Sequence, residues 1–197
     1  MNKPTVLLDC DGILSDFTRA ALELVFEVTG RRYAASSITT WEVFDSLAQE
    51  REYQHEVYRI LKGTGGCLSI PVYESALEGV AKLRELADIV VVTSPFKGSP
   101  TWAHERELWL EKHFQLEQVI HARSKERVHG DFFVDDKSEH VSDWLNYWVR
   151  SGRDPEACGI LWKTDRTTSD TRDPLAFEAS DWAGLCAHVR RHARGVL

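Results

Sequence analysis

The sequence predicts an α/β fold with a Rossmann-like, mostly parallel sheet and a small helical cap inserted after the first strand. Short, strongly apolar runs recur at wide intervals, and amphipathic helical patterns lie between the later runs. Strands that alternate with helices form a parallel sheet that is covered on both faces. One interval, residues 16–72, contains no strand-like run, and it accounts for the insertion.

Each predicted strand is a continuous apolar run without the alternation that is typical of a sheet with one face in water. The runs cover residues 5–8, 89–93, 119–121, 132–134 and 159–162. Helical patterns with one apolar face occupy residues 75–86, 101–114 and 141–149, and a closing helix follows Ser180. The first two helices are predicted to bury Ala76, Leu77, Val80, Leu83 and Leu86, and Trp102, Leu108, Trp109 and Phe114.

The segment 16–72 reads as a helical cap on the loop after the first strand. Helical patterns cover residues 17–29 and 46–61, and "GTGG" at 63–66 is a turn or hinge. We therefore expect a core built from residues 1–15 and 73–197 and a cap built from residues 16–72. Ligands of open α/β sheets bind beyond the carboxyl ends of the strands, so a cap at this point would cover the site.

Charge and composition exclude several classes of protein. A net charge of −7 over 197 residues argues against a nucleic acid polymer as partner, since that affinity depends on clustered Lys and Arg. The four cysteines form no CxxC pair, and no apolar run approaches the roughly 20 residues of a membrane span. The N-terminal residues lack a signal peptide pattern. We expect a cytoplasmic protein without membrane contact; the oligomeric state stays open, with a homodimer as one option.

Polar side chains follow the first four predicted strands at the point where each strand ends. They are Asp9 and Asp11, Thr93 and Ser94, Lys125, and Asp135 and Asp136. The carboxyl ends of parallel strands share one edge, so these groups should converge. Four carboxylates cannot stay ionised together without a cation, and oxygen ligands suit Mg²⁺. The lysine and the hydroxyls remain to hold an anion, which predicts a Mg²⁺ and phosphate site.

The order of these groups resembles the four motifs of the haloacid dehalogenase (HAD) phosphatase superfamily, and all four are present between residues 9 and 136. The sequence is most similar to the 5′(3′)-deoxyribonucleotidase family. The similar stretches are "DCDGILSDF", "VVTSPFKG", "WLEKHF", "VIHARSK", "GDFFVDD" and "SDWAGL". The resemblance covers most of the chain, and it implies a HAD fold and a Mg²⁺-dependent hydrolysis of nucleoside monophosphates.

The resemblance also implies roles for individual residues. Asp9 would be the nucleophile that forms an aspartyl-phosphate, and Asp11 would be the general acid and base. Lys125 would neutralise charge in the transition state. Mg²⁺ would be held by the Asp9 carboxylate, the main-chain oxygen of Asp11 and Asp136. Asp135 would act through a water or support the ligands.

Substrate contacts are expected from both parts of the chain. Thr93 or Ser94 would bind the phosphoryl oxygens, and Lys97, which matches the family, could contact the phosphate or sugar. Three aromatic residues of the cap segment, Phe17, Trp41 and Phe44, could form its own small core or a stacking surface for a ligand ring. We favour ligand contact for Phe17 and Trp41.

The base pocket is where the sequence departs from the family. Aromatic residues are expected near the end of the cap, and this chain has Cys67 and Leu68 in "GTGGCLSI". The departure leaves the preferred base and sugar open. The phosphatase chemistry does not depend on it.

Each motif also has a simpler interpretation. An isolated DxDG is more often a turn, Asp135 and Asp136 could cap a helix, and Lys125 could be a solvated charge, with Arg123 as its substitute. Cys10 points away from its acidic neighbours and should be part of the core. One further cluster, Cys186, His188 and His192, offers too few ligands for a closed zinc site.

Two alternative functions stay open at this point. One is a HAD phosphatase that acts on another small phosphate ester, such as a sugar phosphate. The other is a non-catalytic binding protein with a HAD fold. The intact pair of Asp9 and Asp11 argues against the second alternative.

Overall fold

A single parallel sheet of six strands organises the chain in the computed structural model, which describes residues 3–164 and 173–193. The strand order is β3-β2-β1-β4-β5-β6, and every neighbouring pair is parallel. The strands are β1 (Thr5–Leu8), β2 (Asp88–Thr93), β3 (Val119–His121), β4 (Phe132–Asp135), β5 (Cys158–Trp162) and β6 (Phe177–Ala179). The α/β class and the five predicted strands are confirmed.

The sixth strand, β6, was not predicted. It contains three residues, with Glu178 between Phe177 and Ala179, so it has no continuous apolar run. Its position at the edge of the sheet beside β5 supplies the pairing that the local sequence does not indicate.

Seven α-helices accompany the sheet in the described residues. They are α1 (Phe17–Thr29), α2 (Val43–Ser46), α3 (Gln54–Lys62), α4 (Glu74–Leu86), α5 (Trp102–Phe114), α6 (Ser138–Leu145) and α7 (Trp182–Ala193). Short 3₁₀ turns cover Ala35–Ser37, Ala48–Tyr53 and Lys125–Arg127, and one π-helical turn, Asn146–Arg150, extends α6. In the part of the chain that the structure describes, none of the helices has the length and hydrophobicity of a membrane span.

The side chains of β1 alternate between two hydrophobic layers. Val6 and Leu8 pack in one layer with buried residues of α4, α5 and α7, whereas Leu7 packs on the other side with Trp144 of α6. This alternation follows from the period of two along a strand. The two layers cover both faces of the sheet, which explains why the strands are apolar throughout.

Two predicted core positions are exposed. Leu77 of α4 is 48% exposed and Leu108 of α5 is 41% exposed. The buried stripe of α4 follows Ala76, Val80 and Leu83 at spacings of four and three, which turns Leu77 away from the sheet. The buried face of each of these helices is therefore narrower than the apolar pattern of the sequence predicts.

The segment 16–72, called here the cap segment, has its own hydrophobic cluster. Buried residues of α1, α2 and α3, including Val25, Phe44 and Val57, pack together with Trp102 of α5. The predicted helix at 46–61 is in fact the 3₁₀ turn Ala48–Tyr53 followed by α3. Phe44, which had two open interpretations, is fully buried in this cluster and belongs to the interior of the segment.

The contact between α4 and α7 yields a test of the packing. Gly79 lies against Trp182, and a Cβ at this position would come within 2.0 Å of the indole ring. We expect Gly79→Ala to lower the free energy of unfolding by about 1–3 kcal/mol, because overpacking exceeds the gain in helix propensity. Denaturant unfolding measures the change. The exposed position Glu85 of the same helix provides the control, and Glu85→Ala should change stability little; equal stability of both variants would contradict the close packing of α4 on α7.

Candidate active site

The loop that follows β1 folds back on itself directly after the strand. The amide groups of Leu14 and Ser15 donate to the main-chain oxygen of Cys10 at 2.8 and 3.0 Å. Gly12 has a φ of +88°, a left-handed conformation that favours glycine. The amide of Asp9 donates to Val134 of β4 at 2.9 Å, so the sheet still holds this residue. The loop therefore fixes residues 9–15 at the carboxyl edge of the sheet.

Three buried carboxylates meet at this edge. Asp9, Asp135 and Asp136 each offer one oxygen, and these oxygens lie within 4.8 Å of one another. Lys125, which is only 4% exposed, places its Nζ 2.7 Å from Asp9 Oδ1 and 2.8 Å from Asp135 Oδ2. His140 Nδ1 lies 3.1 Å from the Asp135 carboxylate. One lysine thus bridges the carboxyl ends of β1 and β4.

The buried acids Asp9 and Asp135 differ in their pKa. Burial raises the pKa of Asp9 to about 6, against the opposing charge of Lys125. Burial also works to raise the pKa of Asp135, but Lys125 and His140 outweigh it and lower this pKa to about 2. The same carboxylates raise the pKa of Lys125 although burial acts in the opposite direction. Lys125 therefore stays charged.

The donor set suits a small, hard cation. Asp9, Asp135 and Asp136 provide buried carboxylate oxygens from the ends of two neighbouring strands, and Lys125 offsets only one negative charge. Oxygen ligands and this excess of negative charge fit a divalent ion such as Mg²⁺. Among the described side chains, this is the only group of three His, Cys, Asp or Glu residues close enough to share a metal ion. Cys186 and His188 take part in no such group, and the side chain of His192 lies outside the described residues.

A cavity of about 410 Å³ opens above the acidic group. Its lining includes nine residues that the sequence predicted for the site: Asp9, Asp11, Phe17, Trp41, Thr93, Ser94, Lys97, Lys125 and Asp136. Asp135, which was predicted to act through a water or to support the ligands, is fully buried and does not line the cavity. The structure also places Arg123, the substitute for Lys125, at this lining, but Arg123 is exposed and Lys125 is buried against the acids. The predicted residues therefore surround one space.

The two hydroxyl candidates differ in their surroundings. Thr93, the last residue of β2, is 1% exposed. Ser94, the next residue, is half-buried, and its Oγ lies 2.9 Å from the main-chain oxygen of Ala122. Both residues line the cavity beside Lys125.

Five aromatic side chains line the cavity together with the acids. Phe96 makes edge contacts with Phe17 at 5.8 Å, Tyr58 at 5.6 Å and Trp102 at 5.1 Å between ring centroids. Trp41 also lines the cavity, with Lys137 Nζ 5.1 Å from its ring centroid. Rings from the cap segment and from the core thus border the same space.

The carboxylate of Asp11 is held by two donors. Ser15 Oγ lies 2.5 Å from Asp11 Oδ1, and Arg106 Nη2 of α5 lies 2.7 Å from the same oxygen. Cys10 is fully buried, as expected, and its Sγ lies 3.1 Å from Arg106 Nη1. The fully buried Arg106 therefore contacts residues 10–15, called here the DxD loop.

A family model matches residues 3–149, and its description is 5′ nucleotidase, deoxy (pyrimidine), cytosolic type C protein (NT5C). This match covers most of the chain. The chain belongs to this family. It is an enzyme of the 5′-nucleotidase type, a phosphoric monoester hydrolase.

The nucleotidase is also similar to individual known proteins. It shares 28% identity over 144 residues with the cytosolic type 5′(3′)-deoxyribonucleotidase of Homo sapiens, covering 67% of this chain and 70% of that protein. A haloacid dehalogenase-like hydrolase structure from Burkholderia xenovorans LB400 superposes with a TM-score of 0.62 at 14% identity, over 98% and 99% of the two chains. A HAD hydrolase structure from Bacillus subtilis, YfnB, bound to magnesium, gives 0.57 at 14% identity, over 96% and 99%. The expected HAD fold is confirmed.

Several residues of the nucleotidase site were not predicted. Tyr58, Phe96, Trp102, Lys137 and His140 also line the cavity. Phe96 and Lys137 directly follow predicted motifs, "TSP" and "DD", and this proximity was an available signal. Arg106 lies four residues after Trp102 and three before Trp109, on the inward face of α5, where a charge requires a buried partner.

The acidic group predicts that divalent ions stabilise the fold of the nucleotidase. We expect Mg²⁺ to raise Tm in wild type, by an amount equivalent to roughly 2.7 kcal/mol at a hundredfold excess over Kd. Asp136→Asn should abolish most of this increase because the buried acidic group loses one of its three carboxylates. Thermal unfolding with EDTA and with graded Mg²⁺ measures the effect. Glu139→Gln, an exposed change three residues away, is the control, and equal Mg²⁺ responses in the two variants would remove Asp136 from the cation site.

Proposed function

We propose that this nucleotidase is a Mg²⁺-dependent phosphatase that hydrolyses (deoxy)ribonucleoside 5′-monophosphates to nucleoside and phosphate through an aspartyl-phosphate. One observation carries the proposal: Asp9, Lys125 and Asp136 line the same cavity as five aromatic rings. The polar residues suit a phosphate group, and the rings suit a nucleobase. The family match and the cytosolic type deoxyribonucleotidase relative support the same conclusion.

Asp9 is the proposed nucleophile. Its carboxylate attacks phosphorus, and Asp11 gives a proton to the ester oxygen of the departing nucleoside. Asp11 then takes a proton from the water that hydrolyses the aspartyl-phosphate. Lys125 stays charged beside Asp9 and opposes the negative charge that develops on the phosphoryl oxygens. Thr93 or Ser94 donates to these oxygens.

The proposed Mg²⁺ ligands are the Asp9 carboxylate, the main-chain oxygen of Asp11 and Asp136. The ion would neutralise phosphoryl charge and bring phosphate to the nucleophile. Asp135 supports this arrangement because its carboxylate contacts both Lys125 and His140 and fixes their positions. The acidic group and the magnesium-bound YfnB structure support this assignment.

The proposed position of the nucleoside is the aromatic end of the cavity. Phe17 and Trp41 would stack on the base, and Lys97 would contact the phosphate or the sugar. We propose that the cap segment, residues 16–72, is a separate unit that closes over the core formed by residues 1–15 and 73–197. A cavity of about 410 Å³ is within the range of small-molecule sites.

The departure at residues 63–70 bears on base and sugar preference. Cys67 is fully buried and Leu68 is 41% exposed, and neither lines the cavity. The further aromatic rings that line the cavity are those of Tyr58, Phe96 and Trp102. The identity of the preferred base therefore depends on these rings. A cytoplasmic location stays a prediction of the sequence.

The sugar phosphate and binding-protein alternatives have less support. A sugar phosphate requires hydrogen-bonding groups around its hydroxyls, whereas five aromatic rings line this cavity. A binding protein does not require the pair of Asp9 and Asp11 that the proposed chemistry uses, and both residues line the cavity. Kinetics on a panel of phosphate esters with each base and both sugars separates the three functions.

The nucleophile can be tested by one isosteric change. We expect Asp9→Asn to keep the fold but to lose nearly all turnover of nucleoside monophosphates, because an amide cannot form the aspartyl-phosphate. Release of inorganic phosphate in the presence of Mg²⁺ measures the loss. Asp143→Asn, an exposed change on α6, should retain wild-type activity. Turnover by the Asp9 variant at a tenth of the wild-type rate would exclude Asp9 as nucleophile.

The stacking surface is tested by a comparison of two substrates. We expect Trp41→Ala to lower kcat/KM for a nucleoside 5′-monophosphate about tenfold or more, since base stacking is worth roughly 1–3 kcal/mol. Hydrolysis of glycerol phosphate, which has a similar leaving group and no base, should change little. Trp41→Phe is the conservative control and should keep most of the nucleotide activity. A parallel loss on both substrates would show that Trp41 serves the packing of the cap segment and not the base.

A further inference from the structure

We infer that Arg106 is a positioning residue for Asp11: it holds one carboxylate oxygen in place and so directs the other oxygen of Asp11 toward the cavity. The inference rests on the proposed function and deepens it. Arg106 lies in the middle of α5, and 95 residues separate it from Asp11. Its guanidinium is fully buried.

The contacts of Arg106 are directed at the DxD loop. Its Nη2 lies 2.7 Å from Asp11 Oδ1, and its Nη1 lies 3.1 Å from both Ser15 Oγ and Cys10 Sγ. All three partners belong to residues 10–15. The planar guanidinium therefore spans the loop and opposes its displacement from α5.

The side chain of Arg106 is itself held in place. Its guanidinium carbon lies 5.3 Å from the Trp102 ring centroid and 5.4 Å from the Trp109 ring centroid. These rings belong to the preceding and following turns of α5. A buried guanidinium is costly unless its donors are paired, and the structure supplies Asp11 Oδ1, Ser15 Oγ and Cys10 Sγ as acceptors.

The geometry separates the two oxygens of Asp11. Ser15 and Arg106 both bind Oδ1, and the Asp11 side chain is one-third exposed and lines the cavity. Oδ2 is then the oxygen that exchanges a proton with substrate and water. This arrangement fixes the direction in which Asp11 acts.

The proton balance of the first step does not involve the arginine. As the bond between phosphorus and the leaving oxygen breaks, the proton on Oδ2 of Asp11 moves to that oxygen and Asp11 becomes a carboxylate. Arg106 keeps its own protons and donates to Oδ1 before and after this transfer, so it fixes the orientation of the carboxyl group. In the second step Asp11 takes a proton from water, and Arg106 again exchanges none.

This role predicts a dependence on the leaving group. A nucleoside alkoxide needs a proton to depart, whereas 2,4-dinitrophenolate departs as an anion without one. We expect Arg106→Met to lower kcat/KM for a nucleoside 5′-monophosphate about 100-fold, the lower end of typical general acid contributions. For 2,4-dinitrophenyl phosphate the loss should be within about threefold. Because kcat/KM reports only the steps up to the aspartyl-phosphate, later use of Asp11 as a base does not affect the comparison.

The ratio of the two kcat/KM values within one variant is the deciding quantity, because a smaller folded fraction lowers both values equally. Arg84→Met is the matched control. Arg84 is also partly buried and donates to the main chain at Phe114 and Gln115, so its loss is structural and should leave the ratio at the wild-type value. Arg106→Lys keeps the charge without the planar fork and should restore part of the ratio. It also carries the comparison if Arg106→Met does not fold.

The outcomes separate the inference from the proposed function. If wild type hydrolyses neither ester, the proposed function fails and the inference fails with it. If Asp11→Asn changes the ratio about as much as Arg106→Met does, the inference is supported. If Asp11→Asn changes the ratio and neither Arg106 variant does, Arg106 is only structural and the proposed function stands. A rise in nucleotide hydrolysis in the Arg106 variants would also overturn the inference.

Discussion

Burial of negative charge at one edge of the sheet is the constraint on which the rest of this structure depends. The parallel order of β1 and β4 brings Asp9, Asp135 and Asp136 together, away from most of the solvent. Each of these charges would be costly alone. Lys125 reaches between the strand ends and binds two of the three, and the remaining negative charge suits the proposed cation.

A second cation, Arg106, extends the same balance to the DxD loop. Asp11 lies outside the group that Lys125 serves, and its partner comes from α5. The two basic residues therefore divide the acids into two sets. One set is arranged around the proposed nucleophile, and the other is arranged around the proposed general acid. This division allows neighbouring carboxylates to perform different chemistry.

Helix α5 also connects the DxD loop to the cap segment. Glu105, next to Arg106, accepts the amide groups of Gly65 and Cys67 at 2.8 and 3.1 Å. Trp109 Nε1 donates to the main-chain oxygen of Ile70 at 2.8 Å. Three side chains of one helix thus hold both the loop that carries Asp11 and the point where the cap segment returns to the core.

Local sequence determined the first five strands, the helical insertion and the polar residues that follow the first four strands, because apolar runs and motif spacing are properties of neighbouring residues. The rule that parallel strands end at one edge extended this to a shared site. Tertiary structure alone decided the partner of Asp11, the strand β6 and the presence of Tyr58 and Trp102 at the cavity. Arg106 and Asp11 are far apart in sequence, and a pattern along the chain indicates that a residue is buried without indicating what it faces. The contact between Arg106 and Asp11 depends on the packing of α5 against the DxD loop. The periodic pattern of apolar residues along the chain does not contain this information.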